Sequence, residues 1–365
     1  MAVARGDRYG WRVACMNGMP IKTDHVEIDG LVHGGRVHAA AVDYGIPVSQ
    51  WLDLSTGINP ISWPVPPVPA SAWARLPEAE DGLAEAAQHY YGVAHALPVA
   101  GSQAAILALP MLRAQPSRVG VLTPTYAEHA HAWQRCGHHV IALTPAEIDQ
   151  AVTTLDVLVV VNPNNPTGLC FSPETLMHWH AQLAARGAWL VIDEAYMDAT
   201  PEASLARETH RTGLVVLRSL GKFFGLAGAR VGFVLAEPAL LGDLHRHLGP
   251  WAIAGPARAI ALHALYDQTW QIAARAQLMQ ATQRLAALLS RHGLATSGGT
   301  ALFQWTQTPH AARLHQYFAQ HAILTRLFDE PPSLRFGLPG DEAGWARLAM
   351  ALRDLRMDAE YNNVS

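Results

Sequence analysis

Short apolar runs alternate with longer amphipathic stretches through the middle of this chain. Arg118–Leu122, His139–Leu143, Val157–Val161, Trp189–Ile192, Leu214–Leu217 and Val231–Leu235 are apolar at nearly every position rather than at every second one. That pattern predicts strands buried on both faces of a sheet. The stretches near Gln103–Leu112, Pro173–Arg186 and Pro238–His247 read as helices between them, and Ser172 with Pro173 gives one a capping hydroxyl and a first-turn proline. The expected fold class is therefore α/β, a mostly parallel central sheet with helices on both faces. Ligands of such sheets bind beyond the carboxyl ends of the strands.

After Pro256 the pattern changes. Ala257–Arg291 has no Gly or Pro and is rich in Ala, Leu, Gln and Arg, so it reads as one long helix, straight or bent. A smaller α+β unit follows, with strands near Ala301–Trp305, Leu324–Leu327 and Leu334–Phe336 and a last helix near Glu342–Leu355. The proline-rich stretch Asn59–Pro69 reads as an extended surface connection. The expected division is an N-terminal arm over 1–44 joining the small unit, a large domain over 45–255, and the long helix with the small C-terminal domain over 256–365.

Composition narrows the function classes. Half of the 365 residues are hydrophobic and 15% are charged, which argues for a large buried core and against disorder. A net charge of -4 and a pI near 6.5 give no reason to expect a nucleic acid or an anionic membrane as partner. Cys15, Cys136 and Cys170 are odd in number and far apart, which suits a reducing compartment and offers no metal spacing. No apolar run reaches the ~18 residues of a membrane span. The opening MAVARGDRYGWRVACMNGMP lacks a long apolar stretch of the secretory kind, so the expected location is the cytoplasm; Met16 and Met19 leave other starts open. The nineteen histidines are scattered, and the expectation is surfaces and local hydrogen bonds, with no metal.

Five segments could carry chemistry, and each also has a plain structural reading. Ser219-Leu220-Gly221-Lys222 ends an apolar run and leads into Phe-Phe-Gly-Leu-Ala-Gly-Ala-Arg230. An exposed charge is the commonest fate of such a lysine, but apolar neighbours favour a neutral amine able to form imines. Ser219 and Arg230 suit a phosphate. Val191-Ile192-Asp193-Glu194-Ala195-Tyr196 is a strand ending in carboxylates, either solvated or, for Asp193, paired with a pyridinium nitrogen. Tyr196 would then reach the ring's phenolic oxygen, and Glu194 is left to structure or solvent. Asn162–Gly168 is turn chemistry in any reading, with Asn165 able to donate to a ring oxygen. Gly101-Ser102-Gln103 before an apolar helix is ordinary capping or an anion site. Tyr126 is a core tyrosine or a ring that stacks on another.

Taken together and in this order, the segments resemble the class I/II, fold-type I enzymes that use pyridoxal 5'-phosphate, and the resemblance runs from about His33 onward. It implies that Lys222 holds the cofactor as a Schiff base and that Asp193 faces the pyridinium nitrogen. It further implies that Asn165 and Tyr196 contact the ring oxygen, that Tyr126 stacks on the ring, and that Gly101, Ser102, Gln103, Ser219 and Arg230 surround the phosphate. Arg335, in Ser-Leu-Arg-Phe-Gly, matches the arginine that holds a substrate carboxylate. A homodimer is implied as well.

Two branches of the family come into view, histidinol-phosphate aminotransferases and threonine-phosphate decarboxylases. His33-Gly34-Gly35, Asp53–Pro60, Ser-Leu-Gly-Lys and Gly249–Pro256 resemble the decarboxylase branch. Arg75-Leu76-Pro77 stands where the aminotransferases carry Arg-Tyr-Pro. The expected substrate is thus a small phosphorylated amino acid, losing CO2. His33, Ser55, Gly57, Asn165 and Arg335 are its candidate contacts, with Arg335 open to carboxylate or phosphate and His33 equally readable as a loop histidine. A non-catalytic binding member of the fold is the reading from another class, and the intact Lys222, Asp193, Asn165, Tyr196 and Arg230 set speaks against it.

Overall fold

The computed structural model describes residue 31 and residues 33–362, with side chains through residue 355. Cys15, the starts at Met16 and Met19 and the first part of the expected N-terminal arm lie outside the described residues.

The strands, in chain order, are β1 (Leu52–Asp53), β2 (Leu97–Val99), β3 (Arg118–Leu122), β4 (His139–Leu143), β5 (Val157–Val161), β6 (Trp189–Asp193), β7 (Leu214–Ser219) and β8 (Gly232–Leu235). Seven of them form one sheet in the order β2-β8-β7-β6-β5-β3-β4. The run from β7 to β4 is parallel, whereas β8 lies antiparallel to both β7 and β2. Both faces of the sheet are covered. Leu158, Val160, Leu190 and Ile192 enter one apolar cluster, while Val157, Val159 and Val191, the alternate positions, enter the other. Each such side chain contributes roughly 1.5–3 kcal/mol of burial, so sequences on these strands are apolar without interruption.

The second sheet is antiparallel, ordered β12-β13-β10-β9, from β9 (Gly298–Thr300), β10 (Phe303–Gln307), β12 (Arg326–Phe328) and β13 (Ser333–Gly337). Between them in the chain, β11 (Ile323–Leu324) pairs in parallel with β1. The expected strand near Leu324–Leu327 is therefore two strands in different sheets, parted at Thr325, whose hydroxyl meets His315 Nδ1 at 2.9 Å. The helices Ala311–Gln320 and Glu342–Asn362 complete this part.

Two helix expectations need correction. The stretch read as one helix over Ala257–Arg291 is broken into Gly255–Tyr266 and Gln268–Arg291. At the break Asp267 leaves the helical region, and its carboxylate accepts the Trp270 N–H and the Trp63 Nε1–H, both at 3.0 Å. Gln271 donates to the Ala264 and Leu265 carbonyls at 3.0 Å, so the open end of the first helix is satisfied by side chains. The helix expected to reach Leu112 ends at Ala108 and tightens into a 3-10 turn over Leu109–Leu112, where Pro110 has no N–H to give. The helix Gly255–Tyr266 packs on Leu83–Tyr91 and Ala70–Ala74, with Arg258 paired to Asp81.

The two sheets approach most closely where the Thr167–Gly168 turn meets β9. A Cβ on Gly168, whose φ is +76°, would lie 2.2 Å from the Gly299 oxygen, and one on Gly298 would lie 2.1 Å from the Thr167 oxygen. Among the described residues no helix is long and apolar enough to cross a membrane, and no cluster of His, Cys, Asp and Glu could hold a metal ion.

Candidate active site

The loops that leave the carboxyl ends of β3, β5, β6 and β7 converge on one pocket. It is lined by Ser102, Gln103, Tyr126, Asn165, Asp193, Tyr196, Ser219, Lys222 and Arg230. Nine residues singled out from sequence are thereby brought together, from segments spread over more than a hundred positions.

Asp193 ends β6 and is buried. Its Oδ2 lies 2.9 Å from His129 Nε2, and its Oδ1 accepts the Ala195 N–H at 3.0 Å. A buried carboxylate so held is fixed in place and aimed into the pocket. His129 stands on the helix Glu128–Arg135 and packs edge-on against the Tyr126 ring. Sequence reasoning grouped it with the scattered histidines; its only signal is a place one helical turn beyond Tyr126, which many core histidines share.

Lys222 extends over the Tyr196 ring, its Nζ 5.5 Å from the ring centre. Tyr196 packs edge-to-face on Phe303 of β10, and Gly57 lies against both rings. Ser219 closes β7 and Arg230 sits in the left-handed region at φ 54°, its Nη1 donating to the Ala227 carbonyl at 3.2 Å. Arg230 covers Gly101, where a Cβ would come within 2.8 Å of the guanidinium. Only a glycine allows the arginine to lie this close to the turn before Ser102.

Tyr126 donates its hydroxyl to Gln103 Oε1 at 3.1 Å, and Gln103 Nε2 donates to Glu128 Oε2 at 2.8 Å. Burial, then the charges of Glu128 and Asp193, push the Tyr126 phenol far above its ordinary range, so it stays a donor. The Gln103 side chain is committed at both ends. Gln103 nonetheless lines the pocket beside Ser102, where the sequence expects it. Glu128 also takes His33 Nε2 at 2.7 Å, which sets the His33 ring 5.8 Å from that of Tyr126.

Ser55 also has partners within the chain. Its hydroxyl donates to Asp53 Oδ1 at 2.6 Å and accepts the Gly35 N–H at 2.7 Å, so it braces the Gly34–Gly35 turn. Its carbonyl accepts from Arg335 Nη2 at 2.7 Å. Arg335 Nη1 meets Asn165 Oδ1, which leaves the Asn165 amide N–H free of that contact. The Arg335 Nε is buried and has no acceptor among the described residues.

Directly across β12 and β13 from Arg335 stands Arg326. Burial, the Arg335 charge and Arg36 hold the Arg326 guanidinium below its ordinary value. The Asp329 carboxylate acts in the opposite direction. That Arg326 faces Arg335 is not legible in the sequence, because a register of β12 on β13 cannot be read from either strand alone. Glu194 is also settled: it is buried and paired with Arg218 at 2.5 Å, hence structural and out of solvent.

The donor set fits pyridoxal phosphate. An anchored carboxylate suits a protonated ring nitrogen, Tyr126 offers a face, and Ser102, Ser219 and Arg230 form a phosphate-sized polar end. Lys222 supplies the amine between them.

Comparison with known proteins agrees. Over 88% of this chain and 97% of its own length, a threonine-phosphate decarboxylase of Pseudomonas aeruginosa is 56% identical. Another protein of that name, from a Sinorhizobium species, is 42% identical over 90% of this chain and 99% of its own. The solved histidinol-phosphate aminotransferase of Sinorhizobium meliloti, in complex with pyridoxal-5'-phosphate, shares the fold with a TM-score of 0.78 at 19% identity, covering 94% of this chain and 100% of its own. Residues 72–356 match the family described as aminotransferase class I and II, and the chain belongs to that family.

Proposed function

We propose that this protein is a pyridoxal-phosphate-dependent decarboxylase that converts L-threonine O-3-phosphate to (R)-1-aminopropan-2-yl phosphate and CO2. The choice of reaction is carried by the 56% identity, over nearly all of both chains, to a protein named threonine-phosphate decarboxylase. The geometry supplies the means. When bound, the cofactor provides an electron-accepting ring that stabilises the negative charge left at Cα as CO2 departs.

Each side chain then has a task. Asp193, anchored by His129 and the Ala195 N–H, keeps the ring nitrogen protonated. Tyr196 and the Asn165 amide would donate to the cofactor's phenolic oxygen, and Tyr126 would cover its ring and exclude water. Gly101 lets Arg230 close on the phosphate beside Ser102 and Ser219. Arg335, with its unpaired Nε, and Arg326 opposite it grip the two anionic ends of the substrate. With phosphate and carboxylate both held, these two arginines would fix which bond at Cα is presented for cleavage. Lys222 would hold the cofactor and, as its ammonium, donate to Cα the proton that replaces the departing CO2. His33 and Gly57 border this cleft. The reading carries with it a cytoplasmic homodimer acting in the aminopropanol arm of cobalamin biosynthesis.

The test is incubation of the cofactor-loaded protein with L-threonine O-3-phosphate in the absence of any keto acid. Release of CO2 with the phosphorylated amine as product is the expected result. No CO2, but turnover of histidinol phosphate once 2-oxoglutarate is added, would overturn the reaction in favour of an aminotransferase.

A further inference from the structure

Outside the lining of the pocket lies a buried arginine, met above only as the partner of Glu194. Arg218 is the penultimate residue of β7, immediately before Ser219 and four residues before Lys222. It is almost completely buried. Its Nη1 donates to Glu194 and its Nη2 to Asp198, each at 2.5 Å, and its plane lies 4.6 Å from the Tyr91 ring centre. Glu194 directly follows Asp193, and Asp198 comes two residues after Tyr196. One guanidinium thus ties β7, which ends at Ser219 three residues before Lys222, to both ends of the turn that bears Tyr196.

The turn is held from the other side too. Glu194 accepts the Ser204 hydroxyl at 2.5 Å and the Leu205 N–H at 2.8 Å, and the Asp198 carbonyl accepts from Arg275 Nε at 2.9 Å. Every one of these groups is distant from substrate. Burial alone would pull the Arg218 pKa down, but Asp198 and Glu194 outweigh it and hold it above the ordinary value, so the clip is charged. An all-apolar core could stabilise the same volume at least as well. The ionic arrangement differs from such a core in being directional: it fixes two chain segments relative to each other along defined bonds.

We propose that Arg218 is a positioning residue that sets the distance between Tyr196 and Lys222, and so the fit of the cofactor ring between them. The inference rests on the cofactor site described above but not on which phosphorylated amino acid is decarboxylated.

The experiment titrates apoenzyme with pyridoxal phosphate, reading the dissociation constant and the visible absorbance band, alongside the thermal midpoint of the apoenzyme. Arg218→Lys retains the charge but reaches only one carboxylate. Leu244→Ala, in the core on the large sheet and far from the clip, serves as a control for loss of stability alone. Arg218→Lys is expected to weaken cofactor binding about tenfold beyond what the control predicts for the same fall in midpoint, with a displaced band. Asp198→Asn, which keeps an acceptor for Nη2 and removes one charge, is expected to fold and to weaken binding several-fold. If Arg218→Lys does not fold, Asp198→Asn decides. Equal weakening in Arg218→Lys and its stability-matched control, or wild-type affinity in Asp198→Asn, would overturn the proposal. Wild-type protein that takes up no cofactor would instead overturn the site itself.

Discussion

Replacing Gly57 by alanine adds one methyl group at the most crowded point of the site. The φ of Gly57 is one that alanine adopts without strain, so the effect is purely one of space. A Cβ there would lie 2.8 Å from Tyr196 Oη, 2.9 Å from Tyr196 Cε1 and 2.9 Å from Phe303 Cδ1. Ordinary contact begins at 3.4 Å, so the phenol must retreat by about 0.6 Å. It cannot turn aside freely, because both rings are buried and locked edge-to-face at 5.2 Å. Overpacking of this kind costs about 1–3 kcal/mol, a fall of a few degrees in thermal midpoint. Displacement of a catalytic group by most of an ångström costs on the order of tenfold to a hundredfold in rate. We therefore expect Gly57→Ala to fold, to melt a few degrees lower, and to lose about 10- to 100-fold in kcat/KM for CO2 release from L-threonine O-3-phosphate. A variant within twofold of wild type would refute either the closeness of this contact or the role given to Tyr196.

Three further outcomes follow from the same geometry. Lys222→Ala should abolish the visible absorbance that develops on adding pyridoxal phosphate, and CO2 release with it, while the thermal midpoint stays near wild type. Arg326→Leu should raise KM for L-threonine O-3-phosphate about 10- to 100-fold, as for loss of a charge-assisted contact worth roughly 1.5–3 kcal/mol, with a smaller change in kcat; an unchanged KM would remove Arg326 from the anion site. Burial, and then the Arg326 charge, hold His315 below its ordinary pKa of 6.5. Because the folded protein disfavours the protonated ring, this histidine's contribution to stability is full above that value and is lost as pH falls below it. His315→Gln should flatten the decline of thermal midpoint with acidification from pH 6.5 downward, and an unaltered slope would count against it.

Much of this architecture is legible in the sequence, for a physical reason. Strands buried on both faces must be apolar at every position, so β3, β5, β6 and β7 announce themselves locally, and the residues that follow each of them mark the pocket; β4, equally apolar, is the half-exposed edge strand. Long-range relations are not local. Arg326 matters because β12 pairs with β13 in one register, and nothing within Arg-Leu-Phe states that register. His129 matters because its helix turns it toward Asp193, a residue 64 positions later. Gln103 and Ser55 have the right chemistry for a ligand, but the partners that claim their side chains, Glu128, Tyr126, Asp53 and Gly35, become visible only in three dimensions. The break at Asp267 is a single polar residue in a helical pattern, where capping by its side chain overrides propensity.

The contact of Thr167 and Gly168 with Gly298 and Gly299 bears on how wide the cleft can be. Nothing compressible lies between the two backbones there, since a methyl group on Gly168 or Gly298 would fall on a carbonyl oxygen. That point is a mechanical stop, and the sheets can close no further than it allows. The reach of Arg335 across to Asn165 is consequently set by missing carbon atoms some distance from either. Adding one at position 168 or 298 would prop the jaws apart and shift the preferred length of substrate without altering any residue that touches it.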